Sequence, residues 1–475
     1  MKRAFYIPIL ALSLAALFYS CLSTGGLSDS VEAEGGKTQA SAPKSESPAA
    51  PKAETNLIFP LDREAFKEAY SWRTNVPDPD MVQLKKSSVD QLRRKDVDRY
   101  VKEVVKSISS KSLDDFHKVK MINDIIALTL SYDAKSFFSS SVPPQTYQSV
   151  LQSGLGVCEG FSAVFQKFCN EAGIKCRTVH GYARGAGTSL ENESLSSIRS
   201  NHAWNIVTIK GREYLVDSTW NEGHLDGSKS VKEYNTQWLF AYPEAFVYTH
   251  FPDKKEDQLL GKALSKEDFA SLPALRPAFF DIFGSLRGKM TSITSCPGSL
   301  NYEAKLIDPA VKFSATVYGS GCENAFFFKN GGSGSASLMF AFPNAGSYRI
   351  SFFDMSGKKS LWLGEFCVRA SDKSSVKFPL TYSNYGPAEG GTLESPIEGP
   401  LSKGKDLYFK VLTKKSSAAV LIREGGNTKW NYLKESSRGV FEGTVTIPLS
   451  ASKLSVSVKD DKNNSYWTIA DFALQ

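Results

Sequence analysis

The sequence predicts an α+β domain followed by two all-β sandwich domains. Apolar residues recur at helical spacing from about residue 57 to residue 172, and two strands around a tight turn follow them. From about Pro277 onward, short apolar runs alternate with turn residues, which is typical of β-sandwiches. A chain of 475 residues with 41% hydrophobic residues is long enough for two to four packed domains.

The first 21 residues have the layout of a signal peptide. Two basic residues precede an apolar run from Ala4 to Ser20, which ends at Cys21. The segment LFYSC (17–21) resembles a bacterial lipoprotein box, although two bulky aromatic residues stand where smaller ones are usual. The resemblance implies that Cys21 is lipidated and anchors the protein in the cell envelope, on the periplasmic or the outer surface. The alternative is an uncleaved membrane anchor, but 17 apolar residues is the short limit for a span.

Residues 22–56 predict a disordered tether. They are rich in Ser, Ala, Gly and Pro and contain no aromatic residue, so they cannot bury a core. The net charge of +7 is modest for this length, and the sequence has no Lys/Arg block or basic-aromatic stripe. We therefore expect no nucleic-acid partner.

Residues 57–275 are predicted to form the α+β domain. Two amphipathic helices are predicted over Asp96–Ser109 and Phe116–Ser131. They should pack against a third helix that begins near Cys158. Behind Cys158, apolar residues recur at helical spacing until Gly173 stops the helix. A cysteine in the first turn meets unpaired N–H groups and the positive end of the helix dipole. Both favour the thiolate, and the same N–H groups are able to stabilise an oxyanion.

A predicted hairpin carries a histidine and an aspartate on one face. Two strands flank the turn at Lys210-Gly211, and a two-residue turn pairs Trp204 with Asp217. His202 lies two residues before Trp204, so it is a diagonal neighbour of Asp217 on the same face. A carboxylate there can hold one imidazole nitrogen while the other faces a nucleophile.

Each of these residues has a structural alternative when it is taken alone. A single Cys in a helix is usually a small core residue, and we assign Cys169 and Cys176 that role. We likewise assign His180 to a core strand. The combination of a helix-start cysteine with His and Asp on one hairpin face favours the functional interpretation.

Three sequence blocks carry a family resemblance. GVCEGFSAVFQKFCNEAGIKCRTVHGYARG, NHAWN and YLVDSTWN resemble the core of the transglutaminase-like (papain-like thiol) superfamily. WLFAYPEAFVYTHFP (238–252) resembles the kyphoscoliosis peptidase branch. The resemblance covers roughly residues 145–260. It implies that Cys158 is the nucleophile, His202 the general base and Asp217 the third member of a triad.

Other candidates are less specific. In such folds the segment around Gln145 borders the cleft, so Gln145 is a candidate oxyanion donor, with a surface or capping role as the alternative. Trp220 is a candidate for the cleft wall or for the core, in a segment to residue 229 that we predict as a loop. We expect no metal or organic cofactor, because metal-ligand spacings are absent from the sequence. The sequence leaves open whether Cys296 and Cys322 form a disulfide.

The C-terminal half is divided into two predicted β-sandwiches, at 276–372 and 373–475. The phrase FPNAGSYRISFFD in the first resembles the Ig-like modules that follow the catalytic domain in kyphoscoliosis peptidase relatives. We expect residues from about Pro277 onward to fold separately. Their default role is binding or spacing.

The resulting functional hypothesis is a thiol enzyme that acts on an amide of a protein or peptide through a Cys158 thioester. Water as acceptor would make it a peptidase or amidase, and a lysine amine would make it a crosslinking enzyme. The alternative is a catalytically quiet envelope binding or scaffold protein that keeps the fold.

Overall fold

A computed structural model describes residues 61–139, 141–185 and 188–475. The proposed signal peptide, Cys21 and the tether lie outside these residues. Within the described ranges, no helix combines the length and the apolar character needed to cross a membrane.

The two helices predicted before Cys158 begin at side-chain caps and bury an apolar stripe. Asp96 and Asp114 accept N–H groups at the start of the two helices that were predicted before Cys158, and both helices are confirmed. The helices are α1 (Arg63–Ser71), α2 (Pro79–Lys86), α3 (Val89–Lys95), α4 (Val97–Lys111), α5 (Asp115–Thr129), α6 (Ala134–Ser139), α7 (Tyr147–Ser153), α8 (Cys158–Glu171), α9 (Ser218–Glu222), α10 (Pro243–Phe246), α11 (Lys266–Ser271) and α12 (Pro277–Ile282), with a 3₁₀ helix at Lys255–Gln258.

An antiparallel sheet stands behind α8. Its strands run in the order β8-β5-β4-β3-β9, and α8 packs on β3 and β4. The strands of this domain are β1 (Ser131–Tyr132), β2 (Leu155–Gly156), β3 (Lys175–Ala183), β4 (His202–Ile209), β5 (Arg212–Val216), β6 (Gly223–Asp226), β7 (Lys229–Lys232), β8 (Leu239–Ala241), β9 (His250–Pro252) and β10 (Ala274–Leu275).

The β4–β5 hairpin has the predicted register. Ile209 lies opposite Arg212, and Asn205 lies opposite Val216. Lys210 and Gly211 both have positive φ, at 52° and 79°, as a two-residue turn of this kind requires. The two-residue turn fixes this register, and the register places His202 and Asp217 on the same face of the hairpin.

The prediction of a loop after Trp220 is wrong. Residues there form the end of α9 and then the β6–β7 hairpin. The side chain of Asp217 starts α9 by accepting the N–H groups of Thr219 and Trp220. A helix of five residues and a short hairpin carry too few apolar positions to show a period in the sequence.

The first sandwich shares its core with the first domain. Strand β10 pairs with β18 of the sandwich, and α12 contributes Phe279, which contacts Phe283 and Phe352. One cluster of buried residues runs from the helices of the first domain into both sheets. Separate folding from Pro277 onward is therefore not supported for this sandwich. Its strands are β11 (Phe283–Arg287), β12 (Ile293–Cys296), β13 (Ser299–Leu306), β14 (Phe313–Tyr318), β15 (Phe326–Asn330), β16 (Ser335–Ala341), β17 (Gly346–Asp354) and β18 (Leu361–Ala370).

The second sandwich has a core cluster of its own, which includes Phe409, Val420 and Leu454. Its sheets have the strand orders β19-β27-β26-β22-β23 and β20-β21-β25-β24. The strands are β19 (Leu380–Thr381), β20 (Thr392–Ser395), β21 (Asp406–Leu412), β22 (Ala418–Glu424), β23 (Asn427–Tyr432), β24 (Lys434–Ser437), β25 (Val440–Thr446), β26 (Ala451–Asp460) and β27 (Ser465–Phe472).

Cys296 and Cys322, whose pairing the sequence left open, are both buried free thiols. The remaining described cysteines are free as well.

Candidate active site

Cys158 is the first residue of α8. The residue before it, Val157, makes no side-chain cap, so the N–H groups of the first turn have no side-chain acceptor there. Gln145 approaches this turn: its Oε1 accepts the Val157 N–H at 2.8 Å, and its Nε2 donates to the Pro143 carbonyl at 2.9 Å. A side chain at Gly160 would overlap the Gln145 amide oxygen, so glycine is required for this approach. Gln145 thus fixes the loop and keeps one amide proton for another acceptor.

Cys158 is partly buried, and the pKa of its thiol responds to the charge of His202 and to hydrogen bonding with His202 and the Ala203 backbone. Burial alone would raise the pKa of this thiol. The charge of His202 and these two hydrogen bonds outweigh burial and the repulsion from Asp217, so the pKa of Cys158 is lowered. The thiolate is therefore favoured.

His202 is held by a carboxylate that has no exposure to solvent. His202 Nε2 lies 2.8 Å from Asp217 Oδ2. Burial opposes a charged imidazole, but Asp217 and Cys158 more than offset it and raise the pKa of His202 to about 10. Hydrogen bonds and the charge of His202 hold the pKa of Asp217 well below its usual value despite burial. Because Nε2 of His202 faces Asp217, Nδ1 is the ring nitrogen that remains available to the Cys158 sulfur.

A second histidine, missed in the sequence, binds the same oxygen. His250 Nε2 lies 3.2 Å from Asp217 Oδ2, and His250 Nδ1 lies 2.9 Å from the Thr249 hydroxyl. Its ring is buried and stacked on Phe246. Burial lowers the pKa of His250 to about 4, so it is neutral near pH 7 and donates through Nε2. His250 lies in the 238–252 block, where nothing in the spacing separates it from core aromatics.

His202, Asp217 and His250 together offer three potential metal-ligand atoms within 4.8 Å of one another. Both histidine Nε2 atoms already face one carboxylate oxygen, and all three side chains are at most 8% exposed. A metal would need the same atoms that make these hydrogen bonds. The donor set therefore fits orientation of His202 better than it fits a resident metal.

His180 lies elsewhere, and its assignment as a buried residue is wrong. Its side chain is 53% exposed and pairs with Glu159, 2.8 Å away. Strand β3 is a central strand, but position 180 points to its solvent side. The strand was predicted correctly, but the side of the sheet on which His180 lies was not.

An open cleft of about 720 Å³ lies in front of His202. Trp220 lines it, with its ring centroid 5.3 Å from that of His202 and 4.5 Å from that of His250. Residues of the first sandwich, including Leu361 and Trp362, form part of the wall. The sandwich thus helps to shape the site, which the sequence did not indicate.

This architecture agrees with the comparison to known protein families. Residues 102–218 match the Transglutaminase-like superfamily, so the first domain contains a transglutaminase-like core. The resemblance stated from the three sequence blocks is confirmed.

Individual relatives place the domain in the kyphoscoliosis peptidase-like branch. The chain is 29% identical to human kyphoscoliosis peptidase over 255 residues, which cover 49% of this chain and 37% of the relative. It is 31% identical to the mouse protein over 181 residues, which cover 38% and 27%. The Caenorhabditis elegans Lim and transglutaminase domain protein ltd-1 is 25% identical over 333 residues, which cover 66% and 41%. The chain thus spans well under half the length of these relatives. A TGase crystal structure matches 35% of this chain and 40% of its own, with 17% identity and a TM-score of 0.20.

Proposed function

We propose that this chain is a thiol enzyme that transfers an acyl group from an amide of a protein or peptide to an acceptor through a thioester on Cys158. The observation that carries the proposal is the hydrogen bond between Asp217 and His202, because His202 also lines the cleft and lowers the pKa of Cys158. His202 is the general base and acid, and Asp217 orients it.

In the first half-reaction the Cys158 thiolate attacks the amide carbonyl and forms a C–S bond. The oxyanion that develops lies near the N–H groups at the start of α8, and the free amide proton of Gln145 is a further candidate donor. The His202 imidazolium gives its proton to the leaving amine as the C–N bond breaks. The products of this step are the thioester and a neutral imidazole.

In the second half-reaction the neutral His202 removes a proton from the acceptor, which attacks the thioester. Water releases a carboxylic acid, and a lysine amine forms a new amide. In both cases the C–S bond breaks and the thiolate–imidazolium pair returns. Hydrolysis and crosslinking therefore share the same residues and differ only in the acceptor.

We also propose that the enzyme works in the cell envelope and is anchored by a lipid on Cys21. The support is the basic start, the apolar run and the lipobox-like segment before Cys21. Residues 22–56 would then give the domain its reach from the membrane.

The function is tested with p-nitrophenyl acetate as an acyl donor. We expect a burst of nitrophenol near one equivalent and a single acetyl group on Cys158 by peptide mass spectrometry. Cys158→Ala should abolish both, while Cys176→Ala, which changes a buried thiol, should keep them. Added cadaverine divides the acyl group between acetate and an amide, which identifies the acceptor. A folded protein that is not acetylated on Cys158 would support the quiet scaffold alternative.

A further inference from the structure

The cleft wall holds a guanidinium that lacks an acidic partner. Arg276 is partly buried, lines the same cleft as His202, and lies over the ring of Trp362 with its Cζ 4.4 Å from the centroid. Its backbone N–H donates to Leu363 at 2.8 Å, which ties it to the first sandwich. Among the described residues, its side chain makes neither an ion pair nor a hydrogen bond.

Two other arginines of this region have acidic partners. Arg184, which also lines the cleft, pairs with Glu193 at 2.5 Å and donates to backbone carbonyls. Arg73 pairs with Asp281 at 3.1 Å. A partly desolvated cation is costly without a partner, so Arg276 differs from both.

The nearest acid does not satisfy Arg276. Glu233 interacts with it through space, but the Glu233 carboxylate contacts His224 at 3.4 Å and Lys359 at 3.8 Å. Burial lowers the pKa of Arg276 to about 10, which still leaves it charged at pH 7. A positive charge is therefore held in the cleft with its donors unused.

We propose that Arg276, stacked on Trp362, binds a carboxylate of the substrate beside the amide that reacts at Cys158. This inference rests on the proposed function and narrows its substrate to a peptide that presents a carboxylate in the cleft. A planar guanidinium fits a carboxylate in a bidentate manner, and the Trp362 ring fixes its plane. The carboxylate comes either from an Asp or Glu side chain or from a chain end.

A carboxylate fits this site better than a phosphate does. The carboxylates of Glu233 and Asp354 also line the cleft. These groups repel a dianion more strongly than a monoanion. One unpaired guanidinium balances a single negative charge.

The first sandwich would then take part in substrate binding. Trp362 belongs to β18, and Arg276 stands where the catalytic domain joins the sandwich. The sandwich therefore supplies part of the specificity of the cleft, beyond the spacing role expected of it.

Matched bromoacetyl peptides, which alkylate Cys158, test the proposal. Each pair differs only in Glu against Gln at one position, with the C-terminus amidated, and a third peptide has Gln and a free C-terminus. We expect the best Glu peptide or the free-terminus peptide to react about 10-fold faster than its neutral partner. Which of the two is faster identifies the source of the carboxylate.

Variants separate the site from general charge effects. Arg276→Gln should bring the rate ratio to about 1 by slowing the Glu peptide about 10-fold, and circular dichroism shows that the variant is folded. Arg276→Lys should give an intermediate ratio, because an ammonium cannot bind in a bidentate manner. Lys359→Gln removes the same charge from an exposed side chain on the same cleft and should keep the wild-type ratio.

Two results would overturn the inference while the proposed function stands. One is a ratio near 1 in the wild type, with Cys158 still alkylated by the neutral peptide. The other is a ratio that Arg276→Gln leaves intact. A phosphoserine peptide that outcompetes the Glu peptide would overturn the choice of carboxylate. If no peptide alkylates Cys158, the proposed function fails and the inference fails with it.

Discussion

His202→Ala is expected to lower kcat/KM for acyl transfer by at least about 10³-fold. The change removes the group that lowers the pKa of Cys158, so less thiolate is present at pH 7. It also removes the acid that protonates the leaving amine. The measurement is kcat/KM on p-nitrophenyl acetate and on any peptide amide that turns over, with circular dichroism to show that the variant is folded.

His180→Ala is the matched control for this variant. The side chain of His180 is largely in solvent, and its pairing with Glu159 is of the exposed kind that contributes little to stability. We expect turnover within about twofold of the wild type and a thermal midpoint that hardly moves. Loss of turnover in His180→Ala with full turnover in His202→Ala would show that the base has been misassigned.

Asp217→Asn is expected to lower kcat/KM by on the order of 10⁴-fold, as in template triads. The fold should survive, because an Asn oxygen can still accept the N–H groups of Thr219 and Trp220 at the start of α9. The negative charge that raises the pKa of His202 is lost. The imidazolium, which in the wild type persists up to about pH 10, should then be lost at lower pH.

The pH–rate profile therefore shows in which direction the pKa of His202 moves. The basic limb should move to lower pH in Asp217→Asn, since a raised folded pKa returns toward its ordinary value. His250→Phe is the control, because it keeps an aromatic ring against Phe246 while it removes the donor to Asp217 and the partner of the Thr249 hydroxyl. We expect His250→Phe to lower kcat/KM by about 10-fold. A loss as large as that of Asp217→Asn would mean that His250 does more than position the carboxylate.

Local rules were enough to predict the helix that begins at Cys158 and the hairpin that carries His202 and Asp217. The helix that begins at Cys158 follows from its apolar period and from Gly173, which has a φ of 79°. The face shared by His202 and Asp217 follows from the two-residue turn, which fixes the hairpin register. These features depend on contacts close in sequence, so periodicity and turn chemistry report them.

The rest depends on contacts between distant segments. His250 reaches Asp217 only because β9 pairs with the far edge of β3. Arg276 enters the cleft only because β10 joins the sheet of the first sandwich. The exposure of His180 depends on which side of β3 is covered by α8. No spacing in one sequence encodes which surfaces meet.

The pH dependence of Cys158 alkylation by iodoacetamide tests the central claim most directly, because it reports the thiol itself and needs no substrate. The alkylation rate is followed by peptide mass spectrometry in native protein and in His202→Ala. The account predicts a midpoint well below the free-thiol value of about 8.5 in the native protein, and a clear rise in His202→Ala. A midpoint near 8.5 that is the same in both proteins would contradict it.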